Sequence, residues 1–136
     1  DMKMKFLDHF LRFAIDLKRD GKPTIIAGDF NICHLDIDIH NPDKQHKTSG
    51  FLPEERAWVT KLLSIGYEDA FRKIHPTLTN AYSWWSYRAG AKARNKGWRI
   101  DYHIVSDTMV GRILEAKIES KWNMSDHAPV TITYRF

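Results

Sequence analysis

Apolar residues near the N-terminus recur every three or four positions, with lysine and aspartate side chains between them. This spacing predicts an amphipathic helix over residues 3–19, which Gly21 and Pro23 would end. The next apolar run, residues 24–27, is short and rich in β-branched side chains, and it predicts a buried strand. A second helix is predicted from Pro53, because acidic residues follow this proline in the first turn.

Farther along the chain the pattern changes to the alternation that is typical of strands. It is clearest near the C-terminus, where Val130, Ile132 and Tyr134 share one face. Helices followed mostly by strands predict an α/β (α+β) fold, with one β-sheet layer and flanking helices, in a single domain over residues 1–136. The predicted strands of this part cover residues 82–87, 98–106, 112–119 and 129–135.

The composition fits a compact intracellular domain. The chain has 136 residues, of which 43% are hydrophobic and 12% aromatic, enough for a packed core. No apolar run is long enough to span a bilayer, so we expect no membrane partner. Cys33 is the single cysteine, and we expect a buried, unreactive thiol in a reducing compartment, a bacterial-type cytoplasm or a nucleus. The net charge of +4 is compatible with nucleic acid without establishing it.

The segment Gly28-Asp29-Phe30-Asn31 directly follows the first predicted strand. Side chains at such strand ends commonly form ligand sites. The Asp29 carboxylate could bind a divalent cation or accept a proton from water, and the Asn31 amide could hydrogen-bond a phosphate oxygen. An Asx turn that only shapes the chain is an equally good interpretation of this motif alone.

Two further polar segments could join this one. Asp101 lies in an otherwise apolar predicted strand, where an inward carboxylate needs a partner, either His127 or the nearby Arg99. If Asp101 orients His127, it raises the basicity of the imidazole for work on a phosphate or a proton. Asp126 and His127 adjoin on an extended segment, so we expect their side chains to point to opposite sides. A serine hydrolase fits poorly, because no nucleophile-elbow glycines surround Ser125.

Four metal-capable residues alternate with apolar ones just after Cys33: His34, Asp36, Asp38 and His40. On a strand they would share one face, as a zinc or manganese site would require. Ligation from successive same-face positions of one strand is geometrically poor, however. We therefore predict that residues 34–40 form an exposed edge segment.

Aromatic and basic residues interleave between positions 82 and 99. Aromatic rings can stack on bases or sugars, and cations bind phosphates. Arg88 and Lys96 are candidates for such phosphate contacts, although a basic loop could also be merely solvated. Trp84 and Trp85 alternate, so we expect one of the two to be buried.

Six stretches of the chain match one known family in order and spacing: residues 26–31, 37–42, 49–56, 82–88, 97–102 and 125–130. Together they resemble the exonuclease III type of apurinic/apyrimidinic endonuclease, within the endonuclease/exonuclease/phosphatase superfamily. The fold implied by this resemblance is half of a four-layer α/β sandwich, namely its C-terminal half.

The resemblance implies a Mg²⁺-dependent (or Mn²⁺-dependent) phosphodiesterase that nicks double-stranded DNA on the 5′ side of an abasic site. A 3′–5′ exonuclease activity could accompany the nicking. Asp29 would position or deprotonate the attacking water, and Asn31 would hold the scissile phosphate. His127, oriented by Asp101, would bind and stabilise that phosphate. The metal region implied by the resemblance comprises Asp29, Asn31, Asp126 and His127.

The same resemblance implies how DNA is contacted. Trp84 and Trp98 would form the walls of a pocket for the flipped-out abasic sugar, which is easily extruded because it has no base to unstack. Asn41 and its loop would approach the DNA backbone. Arg88 and Lys96 would add contacts to phosphates.

The family's catalytic domain is about twice as long as this chain. Its N-terminal half supplies an asparagine-bearing first strand, the main metal-binding glutamate and a tyrosine beside the phosphate, and these are expected from a missing N-terminal half or a second copy of the chain. Alone, the chain is expected to be inactive or weakly active. A superfamily phosphodiesterase acting on a substrate other than DNA, and a non-catalytic DNA-binding or assembly module, are the alternatives.

Overall fold

The computed structural model describes residues 1–88 and 90–136 and confirms the predicted helices. The first begins directly after Asp1, whose carboxylate accepts a hydrogen bond from the Lys3 backbone N–H, and it ends on basic residues that suit the negative end of the helix dipole. The helices are α1 (Met2–Arg19), α2 (Pro53–Ser64) and α3 (Ala70–Ile74).

Within the described residues, the strands pair in antiparallel fashion and form three small sheets. The largest has the order β1-β5-β2, and the other two pair β3 with β4 and β6 with β7. Helices and strands thus share one chain, as the predicted α/β class requires. The strands are β1 (Ile25–Asp29), β2 (Tyr67–Asp69), β3 (Trp84–Trp85), β4 (Gly97–Trp98), β5 (Asp101–Ser106), β6 (Ile113–Ile118) and β7 (Val130–Tyr134).

The first strand differs from the prediction of a buried strand over residues 24–27. β1 runs from Ile25 to Asp29 and is mostly exposed, with Ile25 at 40% exposure. Within the described residues, β1 is an edge strand that pairs with β5 alone, and of its side chains only Ile26 packs against the core. Its β-branched composition was interpreted correctly as a strand but wrongly as a covered one.

The aromatic segment and the strand predicted over residues 98–106 are also more broken than expected. Only Trp84 and Trp85 of the predicted strand 82–87 are in extended pairing, opposite β4. Arg99 then turns its side chain into the core, so β5 starts at Asp101. Arg99 is therefore not the partner of Asp101.

The main core lies between α1, α2 and the three-stranded sheet. Leu7, Trp58 and Tyr102 are among its buried side chains. Two buried polar atoms anchor the helices, because Trp58 Nε1 donates to the Leu7 carbonyl at 2.9 Å and Tyr67 Oη donates to the Ala14 carbonyl at 2.6 Å. The face of α1 that these contacts cover is the face its apolar spacing predicted.

The segment 34–40 is not the exposed edge that its alternation predicted. It contains a 3₁₀ turn at Asp36–Asp38, and the Asp38 side chain is completely buried. Asp38 Oδ1 accepts hydrogen bonds from Arg99 Nε at 2.8 Å and from Arg72 Nη2 at 2.6 Å. Arg99 also reaches Asp69, with Nη2 and Oδ2 2.5 Å apart. Burial works to raise the pKa of Asp38, but the two guanidinium groups outweigh it and lower that pKa.

No helix within residues 1–88 and 90–136 is both long and apolar enough to cross a membrane.

Candidate active site

The site begins where two paired strands meet at one rim of the main sheet. Asp29, the last residue of β1, lies directly opposite Asp101, the first residue of β5. Asn31 follows with φ of 53°, and its backbone N–H donates to Asp29 Oδ1 at 2.8 Å. The Asx turn and the functional interpretation of this motif are therefore compatible, because the turn orients the Asp29 carboxylate.

A third segment brings His127 to the same rim. His127 Nδ1 lies 2.9 Å from Asp101 Oδ2, and Nε2 lies 3.8 Å from Asp29 Oδ2. Burial acts to lower the pKa of His127, but the hydrogen bond and charge of Asp101, helped by the charge of Asp29, raise it. The imidazole thus lies between the carboxylates of Asp101 and Asp29, and both favour its protonated, cationic form.

Ser83 is a site residue that the sequence reasoning missed. Its fully buried hydroxyl oxygen accepts hydrogen bonds from the backbone N–H groups of Ile100 and Asp101, at 3.1 and 3.2 Å. Its carbonyl accepts the N–H of Ala128 at 2.7 Å. Ser83 thereby ties the start of β5 to the segment that carries His127. No periodic pattern marks such a serine, so the sequence offers no signal for it.

Asp101 combines burial with these contacts. Desolvation raises its pKa, whereas hydrogen bonds from His127 and Ser83 and the charge of His127 act in the opposite direction. The pKa remains above its ordinary value. Asp101 and the His127 imidazole beside it share a hydrogen-bonded proton, so the two groups titrate as a coupled pair.

Asp126 has hydrogen-bond partners other than those of His127. Its Oδ2 accepts the indole N–H of Trp84 at 3.1 Å, and this hydrogen bond lowers the pKa of Asp126. The Trp84 ring meets Trp98 edge to face, with centroids 6.0 Å apart and planes at 81°. Trp85, the neighbour of Trp84, is the buried member of the pair.

A cleft of about 870 Å³ opens beside these residues. Trp98 forms part of its wall and packs against Gly50, where a Cβ atom would come within 2.8 Å of the indole and where φ is +99°. Lys3 Nζ donates to the Asn31 carbonyl at 3.2 Å and also pairs with Glu55. The cleft is lined by Lys3, Phe6, Leu7, Phe10, residues 26–31, residues 48–50, Trp58, Trp84, Trp98, Ile100 and His127.

The rim offers a partial metal site. Within the described part of the chain, Asp29, Asp101 and His127 each present a ligand atom, and these atoms lie within 4.8 Å of one another. Magnesium is commonly held by one or two carboxylates together with waters and substrate phosphates. The two carboxylates fit such a set. The Asp126 carboxylate does not belong to this group of three.

The predicted DNA-contacting residues divide into two groups. Trp84 and Trp98 line the cleft, whereas Asn41, Arg88 and Lys96 are not among its lining residues in the described chain. Asn41 is exposed, has φ of 47°, and precedes a short 3₁₀ turn at Pro42–Lys44.

The two basic residues lie in the loop between β3 and β4, and both are exposed. The Arg88 backbone N–H donates to Ser86 Oγ at 3.1 Å, and the Lys96 backbone N–H donates to the Ala91 carbonyl at 2.8 Å. Burial and the Lys96 charge together lower the pKa of His40. Both cationic side chains are thus available on the surface, outside the cleft.

Several known proteins resemble the chain in sequence. An exodeoxyribonuclease of Bacillus subtilis is 42% identical over 132 residues, which cover 97% of this chain and 52% of that protein. The DNA repair nuclease APEX1 of Danio rerio is 40% identical over 111 residues, which cover 82% of this chain and 36% of that protein. The chain therefore spans about half the length, or less, of these curated relatives.

Solved structures agree in fold. A 3′ phosphatase from Neisseria, bound to a product DNA hairpin, superposes with a TM-score of 0.91 at 29% identity, over 98% of this chain and 53% of that one. An AP endonuclease from Archaeoglobus fulgidus gives 0.89 at 26% identity, over 97% and 53%. The profile of the Endonuclease/Exonuclease/phosphatase family matches residues 1–127. By this match and these structural likenesses, the chain belongs to the endonuclease/exonuclease/phosphatase family.

Proposed function

We propose that this chain is the C-terminal half of a metal-dependent DNA-repair phosphodiesterase that nicks double-stranded DNA 5′ of abasic sites. The observation that carries the proposal is the convergence of Asp29, Asp101 and His127 at one rim, beside an aromatic cleft. Hydrolysis of a phosphodiester needs a base for the attacking water and a cation at the phosphate, and these residues provide both.

Each rim residue has a part in the reaction. Asp29 orients the attacking water and accepts its proton as the water oxygen bonds to phosphorus. The bond from phosphorus to the 3′ oxygen breaks, and the released 3′ oxygen takes a proton from solvent water, leaving a 3′ hydroxyl and a 5′ phosphate. His127, held by Asp101, binds a non-bridging oxygen as negative charge grows there, and the Asn31 amide holds the phosphate from the other side.

Magnesium or manganese fits the carboxylates of this rim. We assign Asp29, Asn31, Asp126 and His127 to the metal region, with substrate phosphate completing the set. The bound cation would supply charge for the transferring phosphoryl group. Because these four side chains supply only part of the six ligands of an octahedral set, we expect weak metal binding by this chain alone.

The substrate class follows from the cleft and the basic loop. Trp84 and Trp98 present aromatic surfaces on which an extruded sugar can pack, and the exposed Asn41, Arg88 and Lys96 would contact the duplex backbone outside the cleft. The names of the relatives, which include a DNA repair nuclease and an exodeoxyribonuclease, support DNA as the polymer.

The remaining half of the active site comes from a second piece of protein. The chain covers about half of its relatives, and the β1 edge and neighbouring apolar side chains are exposed. We propose that a complementary N-terminal half covers them and completes the metal site. A second copy of the chain is the alternative cover.

The test compares cleavage of a duplex containing one abasic analogue by the chain mixed with the N-terminal half of its closely similar Bacillus relative. We expect a cut 5′ of the analogue that requires magnesium and falls by several orders of magnitude in His127→Ala, because this side chain acts on the transition state. His9→Ala, on an exposed face of α1, is the matched control. Normal cutting by His127→Ala would refute the mechanism.

A 3′-end activity is a second candidate. The cleft that could accept an abasic sugar could also accept a 3′-terminal sugar, and the similar proteins include an exodeoxyribonuclease and a 3′ phosphatase. Assays on a 3′-phosphate end and on a recessed 3′ hydroxyl separate these activities from nicking. Hydrolysis of phospholipid without cleavage of any DNA substrate would instead establish the non-DNA alternative.

A further inference from the structure

The indole of Trp84 is fixed from two directions. Its indole N–H donates to Asp126 Oδ2 at 3.1 Å, and its ring packs edge to face with the ring of Trp98, with 6.0 Å between the centroids. The backbone is fixed as well, since Trp84 forms a β-bridge with His127 and the Trp85 N–H donates to the Asp126 carbonyl at 3.3 Å. The ring and the imidazole therefore belong to one connected unit.

From this geometry we infer that Asp126 is a positioning residue for the Trp84 ring, and that it thereby sets which sugar the cleft accepts. The inference rests on the proposed function and deepens it by assigning specificity to a named pair. The Trp84 side chain has two rotatable bonds, and the acceptor at its indole nitrogen favours the ring orientation that directs the N–H toward Asp126. Removal of the Asp126 carboxylate would allow the Trp84 ring to reorient, whereas the carboxylates of Asp29 and Asp101 would stay in place.

The chemistry of Asp126 suits this role. A charge-assisted hydrogen bond to an ionised carboxylate is stronger and more directional than one between neutral groups. Its Oδ1 accepts a second hydrogen bond from Ser125 Oγ at 3.3 Å, which restrains the carboxylate. Within the described residues, Asp126 contributes no atom to the close group formed by Asp29, Asp101 and His127.

The test uses four variants: Asp126→Ala, Asp126→Asn, Trp84→Phe and the double variant Asp126→Ala/Trp84→Phe. In the complemented enzyme, we measure kcat and KM for an abasic-analogue duplex and for the same duplex with an ordinary nucleotide at that position. We expect Asp126→Ala and Trp84→Phe each to lower the preference for the abasic duplex about tenfold, chiefly through KM. Asp126→Asn keeps an oxygen acceptor and should retain most of the preference.

The double variant separates positioning from metal binding. If Asp126 acts through Trp84, the double variant is no less selective than either single variant, because the loss of Asp126 has no further effect on selectivity once Trp84 is replaced. Additive losses of selectivity, or a raised magnesium requirement with unchanged selectivity, would overturn the inference. Asp20→Ala, an exposed carboxylate at the end of α1, is the control.

A second measurement does not depend on activity. In the NMR spectrum of this chain alone, the indole N–H signal that disappears in Trp84→Phe should exchange faster with solvent in Asp126→Ala than in wild type or Asp20→Ala. Unchanged exchange would refute the positioning role even if the enzyme cleaves DNA. Altered exchange without any DNA cleavage would leave the pairing intact and refute the proposed function.

Discussion

At the scale of single residues, the charge of His127 decides how the rim treats a phosphate. Its Nδ1 is engaged with Asp101 at 2.9 Å, which leaves Nε2 for other partners. The raised pKa means that the imidazolium form, which attracts a phosphate, persists to higher pH than in an unfolded chain. Its stabilisation of the fold is fully present below the unfolded pKa and is lost as the pH rises through the folded pKa.

Asp101→Asn should lower the pKa of His127, because the carboxylate supplies both a hydrogen bond and a charge that favour the cation. Phosphate binding should then weaken at a lower pH than in wild type. An NMR titration of the His127 ring signals in metal-free protein measures this shift. Asp36→Asn, an exposed carboxylate paired with Arg56, is the matched control and should leave the titration unchanged. A pKa of His127 that rises or stays constant in Asp101→Asn would contradict the assignment.

Residue types at strand ends were enough to predict the rim but not its supports. Asp29, Asp101 and His127 were recognisable because polar side chains interrupt apolar runs at those positions. Ser83 was missed because its hydrogen bonds join backbone groups 17 and 18 residues away. The contact between Trp84 and Asp126, 42 residues apart, is equally invisible to local spacing.

At the scale of elements, a buried ion network fixes the segments behind the site. Asp38, in the 3₁₀ turn, binds Arg72 of α3 and Arg99, which directly precedes Ile100 and β5. Arg99 also binds Asp69 at the end of β2. Removal of one partner from such a buried network lowers the stability of the fold, because the remaining buried charges lose a counter-charge.

Asp38→Ala should lower the free energy of unfolding by about 3–5 kcal/mol, since it leaves two guanidinium groups buried without their shared acceptor. Asp36→Ala, two residues earlier in the same turn, loses only an exposed pair with Arg56 and should cost about 0–1 kcal/mol. Urea unfolding followed by circular dichroism measures both. Equal stabilities of the two variants would show that the network contributes nothing.

Element types were predictable where one face of the element is covered within the chain. α1, α2, β6 and β7 have the expected periods and lie close to their predicted bounds. β1 and the segment around Arg99 deviated for different reasons. Ile25 of β1 stays 40% exposed although Ile26 packs against the core, and Arg99 leaves the strand because its guanidinium pairs with two buried carboxylates.

At the scale of the whole molecule, apolar side chains remain uncovered around the cleft. Phe6 of α1, which lines the cleft, is 65% exposed, and Phe13 of the same helix is 57% exposed. Within the described residues, β1 pairs with β5 alone, so its other edge is free. Contiguous apolar surface of this kind marks a contact with another protein surface, and a free strand edge can pair with a further strand. The same cleft contains Asp29 and His127, so whatever covers it also completes the site.

Phe6→Ser should therefore weaken the complex between this chain and the complementary N-terminal half at least tenfold, because burying one phenylalanine side chain contributes about 1.5–3 kcal/mol. Leu114→Ser, an equally exposed apolar position on β6 away from the cleft, is the matched control and should bind as wild type does. Sedimentation of each chain at several concentrations, with and without the partner half, gives the masses and affinities. If the wild-type chain instead forms a stable dimer that does not bind the partner half, a second copy of the chain covers the cleft in place of an N-terminal half. Equal affinities of the Phe6→Ser and Leu114→Ser variants would show that the cleft side of α1 is not the interface.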